Sequence, residues 1–451
     1  MAEATTRRGI PLHTKILIGL VLGAAAGSAA NLLWRGDARL EWFVNNIANP
    51  VGQIFLRMLF MVVVPLVFTS VTMGVASLGD VRRIGRIGGK TLLFFLATTT
   101  VAATVGLILV NAIEPGATLD PAMRTALMEQ YSAEAGERVA AAQETRFGIN
   151  TLVSIVPRNP VQAAATGDYL GLIFFSLIFG IALTLLSETA SKPVMNLLEG
   201  IAQAVMMIIN FAMKLAPIGV FGLIFSVTAR FGYELLGALL LFVITVLTGL
   251  AIHQFGVIPL LVRTLAGISP ITFLRGAREQ MITAFSTSSS NATLPTTIRT
   301  ATDKFGVPKE IAGFVLPVGA TMNMNGTALF EGVTVLFLAQ VFGVNLDLPT
   351  QIIVVVMAVI TAIGVAGVPS GSIPLLVMVL GMVGVPGEGI ALILGVDRIL
   401  DMCRTVPNVT ADLLTSLVIT RSEGLPLKVP EVMPELAPER MAKGSAKRPA
   451  A

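Results

Sequence analysis

The chain has 451 residues, of which 54% are hydrophobic and 13% charged, and its formal net charge is +4. Water-soluble domains carry about a quarter charged residues, so this composition excludes an ordinary soluble globule, and the small net charge gives no reason to expect a nucleic-acid partner. One cysteine and two histidines are too few for a disulfide framework, a cysteine metal site or a histidine-based active site, so no enzyme activity is predicted.

Apolar runs of about 20 residues, long enough to cross a bilayer, follow one another along the chain. Residues 1–11 are predicted to be cytoplasmic, and the first apolar run lacks a small-residue cleavage pattern, which favours a signal anchor. Arginine and lysine collect in the loop after the second run, so that loop is also predicted to be cytoplasmic. The first six spans are predicted at about 12–35, 46–78, 90–113, a region interrupted by VPRNPVQAAATGDY that ends near 187, 199–231 and 234–263.

A polar stretch, AFSTSSSNATLP from Ala284 to Pro295, lies between two arms of about a dozen residues each. Each arm rises about 18 Å as a helix, which reaches only the middle of a bilayer. Arginines and lysines flank the segment on both sides, so both of its ends are predicted to be cytoplasmic. The segment, about 268–305, is therefore predicted to be a re-entrant helical hairpin with its polar tip inside the membrane. A flexible cytoplasmic Ser/Thr linker is the alternative.

A second segment mirrors the first. Residues 351–387 are uncharged, GVAGVPSGS at Gly364–Ser372 interrupts them, and their flanks carry acids and no bases. A hairpin of about 350–386 that enters from the outside is therefore predicted. Irregular backbone at membrane depth is tolerated only where protein or a cavity surrounds it. Two hairpins from opposite faces, each followed by one helix, predict an inverted repeat with a binding site near the midplane.

The last helix, within ILGVDRILDMCRTVPNVTADLLTSLVIT, carries a polar stripe. With Asp397 at 0° and 100° per residue, the stripe members fall within an arc of about 100°. They are Asp397, Asp401, Arg404, Thr405, Asn408 and Asp412. Ionisable groups inside a span are costly and indicate function, although an Asp–Arg ion pair that only holds helices together is the alternative.

The helix before the second hairpin is predicted to unwind at NMNGT, Asn323–Thr327, because glycine and asparagine are poor helix-interior residues. Unwinding frees backbone carbonyls, which suit a hard cation such as sodium. Glu331 follows at membrane depth, where an isolated carboxyl group is costly to ionise and could carry a proton. His253 is interpreted as an ordinary residue within a span.

The charged stripe predicts the chemistry of the ligand. Arg404 can bind a carboxylate through two parallel hydrogen bonds, and Asp401 can bind an ammonium group. Asn408 and the hairpin-tip groups can hold a second carboxylate. This set fits an acidic amino acid, whereas a plain C4-dicarboxylate would leave Asp401 without a partner.

The chain resembles the dicarboxylate/amino acid:cation symporter family, which includes archaeal aspartate transporters and animal excitatory amino acid transporters. The resemblance covers about 12–421 and rests on MVVVPLVFTSV, STSSSNATLP, LPVGATMNMNGTAL, GVAGVPSGS and GVDRILDMCRTVPNVTADL, in that order. It implies an all-α membrane protein with eight transmembrane helices, two re-entrant hairpins and inverted repeats. It also implies a homotrimer in membrane lipid that works as an elevator. Helices 1, 2, 4 and 5 would form the scaffold, and helices 3, 6, 7 and 8 with the hairpins the transport domain. Residues 422–451 are Pro-rich and polar, and this composition predicts a disordered cytoplasmic tail.

The resemblance also implies the site residues. Substrate contacts would lie at Ser288, Ser290, Thr327, Val368, Ser372, Asp401, Arg404, Thr405 and Asn408. A first sodium site would use Gly319, Asn323, Asn408 and Asp412. A second would use carbonyls of Thr321, Met324, Ala362, Ile363 and Val365, and a third Phe95, Thr98, Thr99, Asn323 and Asn325.

Three positions bear on ion coupling. The family motif usually has Asp at position 325, where this chain has Asn325, so the third sodium site is expected to be weaker. Phe95 stands where Tyr is common, and Glu331 resembles the proton-carrying glutamate of the animal transporters. The expected cargo is therefore an acidic amino acid with sodium ions, protons or both, and no organic cofactor is expected. A proton-coupled C4-dicarboxylate carrier, an anion channel and an intramembrane hydrolase are the alternatives. A prokaryotic inner membrane, with both termini cytoplasmic, is the predicted location.

Overall fold

The structure is a computed structural model that describes residues 11–77, 86–128, 156–166, 168–364 and 370–428. Within these ranges every regular element is a helix. The first eight helices are α1 (Leu12–Trp34), α2 (Ala38–Phe43), α3 (Asn49–Phe60), α4 (Val63–Ser77), α5 (Arg86–Ile113), α6 (Pro160–Thr166), α7 (Tyr169–Leu185) and α8 (Glu188–Phe231). The next nine are α9 (Glu234–Ile252), α10 (Ile258–Leu261), α11 (Pro270–Thr287), α12 (Ser290–Arg299), α13 (Lys309–Met322), α14 (Asn325–Val341), α15 (Leu348–Gly364), α16 (Ile373–Met382) and α17 (Leu394–Ser422).

Short turns of tighter or wider helix connect several of these elements. Wider π-helical turns lie at Val44–Ala48, His253–Val257, Val262–Ala266 and Thr300–Lys304, and 3-10 turns at Pro115–Thr118 and Gly387–Leu392. A further helical segment covers 121–128. Side-chain caps start several of the helices, among them α7 and α12: Asp168 accepts a hydrogen bond from the Gly171 N–H, and Ser289 accepts one from the Ala292 N–H.

Helix α1 packs along α8 through a row of glycines. Gly19, Gly23 and Gly27 recur every four residues and therefore lie on one face of α1. A Cβ at Gly19 would lie 2.3 Å from the Pro217 carbonyl oxygen, and one at Gly23 would lie 2.8 Å from that of Phe221. Glycine at this spacing lets the two backbones approach closely, as in membrane helix pairs.

Helix α14 is enclosed by α5, α9, α15 and α17. In the candidate span Lys309–Val341, 94% of the apolar stretch is buried, whereas the other five candidate spans bury 33% to 50%. Phe337 of α14 stacks on Phe242 of α9 at a centroid distance of 4.6 Å. The polar residues of α14 are therefore surrounded by protein on all sides.

Most of the predicted spans agree with the structure, but two of them begin earlier than predicted, the second at Ala38 rather than near 46. The fifth span begins at Glu188 rather than near 199. The first turns of α8 contain charged residues, so hydropathy did not assign them to the span. Lys192 and Glu188 form an ion pair one helical turn apart at 3.3 Å, which supports helix there. The predicted unwinding near Asn323–Thr327 is confirmed as a break, since α13 ends at Met322 and α14 begins at Asn325.

Among the described residues, six helices are long and apolar enough to cross a membrane, and α17 is not one of them. The total of eight spans thus stays a prediction. The two predicted hairpins correspond to α11 with α12 and to α15 with α16, and the helices of each pair contact each other. Residues 365–369, between α15 and α16, lie outside the described residues, as do 429–451 of the predicted tail.

Candidate functional site

Arg404 lies at the centre of α17 with 1% of its surface exposed. Its Nε donates to Asp401 Oδ1 at 3.0 Å, its Nη2 forms an ion pair with the same oxygen at 2.8 Å, and its Nη1 donates to Asp397 Oδ1 at 3.1 Å. The guanidinium carbon lies 4.2 Å from the centroid of the Phe330 ring, a cation–π distance. A buried arginine is stable only when its charge is compensated, and two carboxylates and one aromatic face do so here.

The guanidinium keeps a limited capacity for a ligand. It has five N–H donors, and three of them have the carboxylate partners just given. At most two donors therefore remain, which is the number that a ligand carboxylate uses in a bidentate contact.

Asp401 uses both of its carboxylate oxygens. Oδ1 accepts from Arg404, while Oδ2 accepts from the Ser370 backbone N–H at 3.0 Å and from Arg398 Nη1 at 3.3 Å. Thr405 donates its hydroxyl to the Asp401 carbonyl at 2.7 Å. Asp401 thus links α17 to the residues that precede α16.

Asn408 provides hydrogen-bond partners for the first residues of α14. Its Oδ1 accepts from the Gly326 and Thr327 backbone N–H groups at 2.7 and 3.3 Å, and its Nδ2 donates to Thr327 Oγ1 at 3.2 Å. The first N–H groups of a helix have no partner within the helix, so an amide oxygen from a neighbouring helix takes that role. A Cβ at Gly326 would lie 2.1 Å from the Arg404 carbonyl oxygen, so only glycine permits this approach.

Three residues of the first predicted sodium set, Gly319, Asn323 and Asp412, lie together at the break between α13 and α14. Asn323 Nδ2 donates to Asp412 Oδ1 at 2.9 Å, and Thr98 Oγ1 donates to Asn323 Oδ1 at 3.3 Å. A Cβ at Gly319 would lie 2.4 Å from Asp412 Oδ1, so the carboxylate lies directly over the Gly319 backbone. Carboxylate, amide and hydroxyl oxygens gathered in this way are the ligand types of a hard cation.

The third predicted set is also assembled. Thr99 Oγ1 donates to Asn325 Oδ1 at 2.8 Å, and Thr98 Oγ1 also lies 3.2 Å from the Phe95 carbonyl. Asn325 Nδ2 lies 3.3 Å from His253 Nε2, and His253 is fully buried. Sequence reasoning missed His253, which was interpreted as an ordinary span residue. The two residues are 72 positions apart, and no periodicity joins them.

The second predicted set is described only in part. Thr321 and Met324 flank the end of α13, while Ala362 and Ile363 lie at the end of α15, which packs against α13. Val365 of this set and Val368 of the predicted substrate contacts lie outside the described residues.

Glu331 is fully buried in α14, and its Oε2 accepts a hydrogen bond from Thr361 of α15 at 2.6 Å. Its Oε1 has no hydrogen-bond partner among the described residues. A buried oxygen of this kind calls for an explanation in a native structure, and a carried proton is one.

The serine-rich link between α11 and α12 and the start of α16 share two features. Ser288 and Ser370 adopt left-handed backbone conformations with φ of 49° and 58°. The hydroxyls of Ser288, Ser370 and Ser372 are buried and have no hydrogen-bond partner within the described part of the chain. Ser290 starts α12, which contacts α17.

We call eight buried polar residues of α17 and of the α13–α14 region the central polar cluster. Its members are Asn323, Asn325, Thr327, Asp397, Asp401, Arg404, Asn408 and Asp412. Apolar helices around a buried, charge-bearing centre of this kind are typical of a polytopic membrane protein.

Comparison with known proteins agrees with this class. Residues 12–422 match the sodium:dicarboxylate symporter family, and the chain belongs to that family. It is 38% identical over 415 residues to the proton/glutamate-aspartate symporter of Escherichia coli K12, covering 91% of this chain and 93% of the relative. It is 36% identical over 417 residues to the proton/sodium-glutamate symport protein of Bacillus caldotenax, covering 92% and 96%. The C4-dicarboxylate transport protein of Bacillus subtilis is 31% identical over 416 residues, covering 92% and 93%.

Proposed function

We propose that this protein is a secondary active symporter that takes up glutamate or aspartate together with sodium ions, protons or both. The observation that carries the proposal is the buried guanidinium of Arg404, which is held by two carboxylates and keeps up to two donors for a ligand. Relatives named as glutamate and glutamate-aspartate symporters support an acidic amino acid as the cargo.

The ligand contacts follow from the chemistry of each group. Arg404 binds one carboxylate of the substrate, and Asp401 binds its ammonium group. The second carboxylate lies near the serine hydroxyls that have no other described partner. Besides Asp401 and Arg404, the proposed substrate set consists of Ser288, Ser290, Thr327, Val368, Ser372, Thr405 and Asn408.

The cations use the oxygen-rich sets around the α13–α14 break. One sodium ion binds between Asp412, Asn323 and Gly319 with Asn408. A second binds the carbonyls of Thr321, Met324, Ala362, Ile363 and Val365. The third set, from Phe95, Thr98, Thr99, Asn323 and Asn325, holds sodium weakly because Asn325 offers an amide in place of a carboxylate.

A proton carried by Glu331 takes the place of the sodium ion that the third set holds weakly. Positive charge must enter with the substrate because the membrane potential opposes inward movement of its negative charge. Moving one net negative charge inward costs roughly 2.3 kcal/mol per 100 mV, so at least two positive charges must accompany a substrate of charge −1 for the voltage to assist.

The protein would lie in a plasma membrane with eight spans and two re-entrant hairpins, 268–305 and 350–386, and with both termini cytoplasmic. Three protomers would assemble, and in each the helices α5, α9, α13, α14 and α17 with the hairpins would move as an elevator against a scaffold of the other spans. Accessibility labelling at the hairpin tips in the presence and absence of ligand tests this arrangement.

The direct test is uptake of labelled glutamate, aspartate and succinate by proteoliposomes under separate sodium and proton gradients. We expect saturable, gradient-driven uptake of the amino acids. Uptake of succinate in preference to both amino acids would favour the C4-dicarboxylate carrier, and steep linear currents without accumulation would favour a channel.

The ion assignment is tested by two substitutions. Asn325→Asp restores a carboxylate and should increase the dependence of uptake on sodium, whereas Glu331→Gln removes the proton carrier and should abolish the response to a proton gradient. Unchanged ion dependence in both variants would contradict the assignment while leaving the substrate assignment intact.

A further inference from the structure

Arg398 is a second guanidinium at the substrate site, and neither the stripe nor the family resemblance points to it. It follows Asp397 in α17, and 18% of its side chain is exposed. Its Nη1 lies 3.3 Å from Asp401 Oδ2. Arg398 therefore contacts the carboxylate oxygen that faces away from Arg404.

This contact occupies the place that a ligand ammonium needs. Asp401 Oδ1 is already taken by two donors of Arg404. Oδ2 has the Ser370 N–H and Arg398 as its partners. A ligand ammonium that binds the carboxylate through Oδ2 must displace Arg398 or share the oxygen with it, which places two cations side by side.

The charges lead to the same conclusion. Arg398 and Arg404 contribute two positive charges, and Asp397 and Asp401 contribute two negative ones, so these four side chains are neutral together. Without Arg398 they carry a net charge of −1. A negative site favours a ligand with an ammonium group and repels a ligand that offers only carboxylates.

We propose that Arg398 is a specificity-determining residue, which competes with the ligand ammonium for Asp401 Oδ2 and shifts the preference of the site from amino acids toward dicarboxylates without an amine. The inference rests on the proposed function and concerns the same site. It gives a physical reason why one family can include proteins named for glutamate and proteins named for C4-dicarboxylates.

The test compares two ligands in one preparation. Purified parent and Arg398→Gln are reconstituted, and the inhibition constants of unlabelled glutamate and succinate are measured against the same labelled substrate. The ratio of the two constants does not depend on the fraction of active protein. We expect Arg398→Gln to shift this ratio about three- to tenfold toward glutamate, because the lost contact is charge-assisted but partly exposed.

Two further substitutions serve as controls. Arg398→Lys keeps the positive charge and should stay within about twofold of the parent ratio, while Arg421→Gln changes an exposed arginine at the far end of the same helix and should leave the ratio unchanged. If Arg398→Gln does not fold, Arg398→Met keeps the aliphatic stem without the charge, and the same shift is expected.

The outcomes separate the two proposals. A parent that transports glutamate, with an unchanged ratio or a shift toward succinate in the uncharged variants, overturns the role of Arg398 alone. A parent that binds neither glutamate nor succinate overturns the proposed function and this inference together. An equal shift in Arg398→Lys would show that shape rather than charge sets the ratio, and would also overturn the inference.

Discussion

Helix α8 and the α13–α14 pair are both long, proline-containing segments, but the first is continuous and the second is interrupted, so their backbone polar groups find hydrogen-bond partners in different ways. Helix α8 runs for 44 residues without a break through Pro193 and Pro217. In the α13–α14 pair, α13 contains Pro317 and ends at Met322, and the helix resumes as α14 at Asn325. Half of the apolar stretch of α8 is buried, against 94% for the pair, and side chains such as Leu197 of α8 are exposed.

The difference shows what a break in a membrane helix requires. An unbroken helix satisfies its own N–H and C=O groups and can therefore face lipid. A broken helix leaves polar backbone groups that other protein atoms must satisfy, and Asn408 does this for the N–H groups of Gly326 and Thr327. Enclosure by neighbouring helices is thus the condition under which the central polar cluster can exist.

The largest effect is expected when the charge at the cluster is removed. Arg404→Gln leaves Asp397 and Asp401 buried without their main partner and removes the proposed carboxylate contact. Loss of a buried partner costs about 3–5 kcal/mol, so the initial rate of glutamate uptake should fall by at least about 100-fold. The matched control is Arg230→Gln at the end of α8, which should stay within about twofold because Arg230 pairs near the surface. Comparable losses in both variants would remove the distinction between the two regions.

A smaller effect, on the stability of the fold, is expected when a methyl group replaces a glycine hydrogen. Gly326→Ala places a methyl group where the Arg404 carbonyl lies, whereas Gly200→Ala in α8 meets no atom within 4 Å. Gly326→Ala should destabilise by about 2 kcal/mol or more, because backbone cannot move aside as a side chain can. Gly200→Ala should be neutral or slightly stabilising, since alanine is the better helix former. Unfolding midpoints in detergent at one heating rate test this, and equal midpoints would contradict the close approach.

The smallest effect is expected at the surface, where an ion pair joins α5 to the end of α17. Glu423 accepts from Arg86 at 2.6 Å and from Lys90 at 2.7 Å, and these hydrogen bonds hold the pKa of Glu423 below its usual value. A lowered pKa means that the stabilisation is fully present above the pKa of an unfolded glutamate, about 4.3, and is lost as pH falls through the lower folded-state pKa.

The test of that pair is Glu423→Gln. Its midpoint should lie slightly below that of the parent at pH 7, and the gap should narrow in high salt because the Arg86 side chain is exposed and the Lys90 side chain is partly exposed. A gap that persists in high salt would mean that the pair is shielded from solvent in the same way as Arg404.

Much of the fold and part of the site could be predicted from the sequence. Apolar runs predicted the helices, the Asn-rich motif predicted the break at Asn323, and the 100° period placed Arg404 and Asn408 on one face. The start of α8 was wrong because its first turns are charged rather than apolar. The ligand sets came from the resemblance and await a test.

Two neighbours of the cluster could not be predicted, each for a physical reason. Arg398 lies about 100° from Asp397 around the helix, so periodicity placed it off the stripe. Its long flexible stem brings the guanidinium back to Asp401, and helical geometry alone does not show this. His253 reaches Asn325 from another helix, a tertiary contact that no local pattern contains.

The charge content of α17 has a consequence for how the chain is built into a membrane. Five charged residues lie between Leu394 and Asp412. Each costs about 3 kcal/mol at the centre of an inserting helix, so α17 by itself would be rejected by the bilayer. As a span, it would have to enter the lipid together with helices synthesised before it, such as α14, whose Phe330 ring contacts Arg404 and whose Gly326 N–H group donates to Asn408. The transport chemistry and the order of biogenesis would then depend on the same contacts.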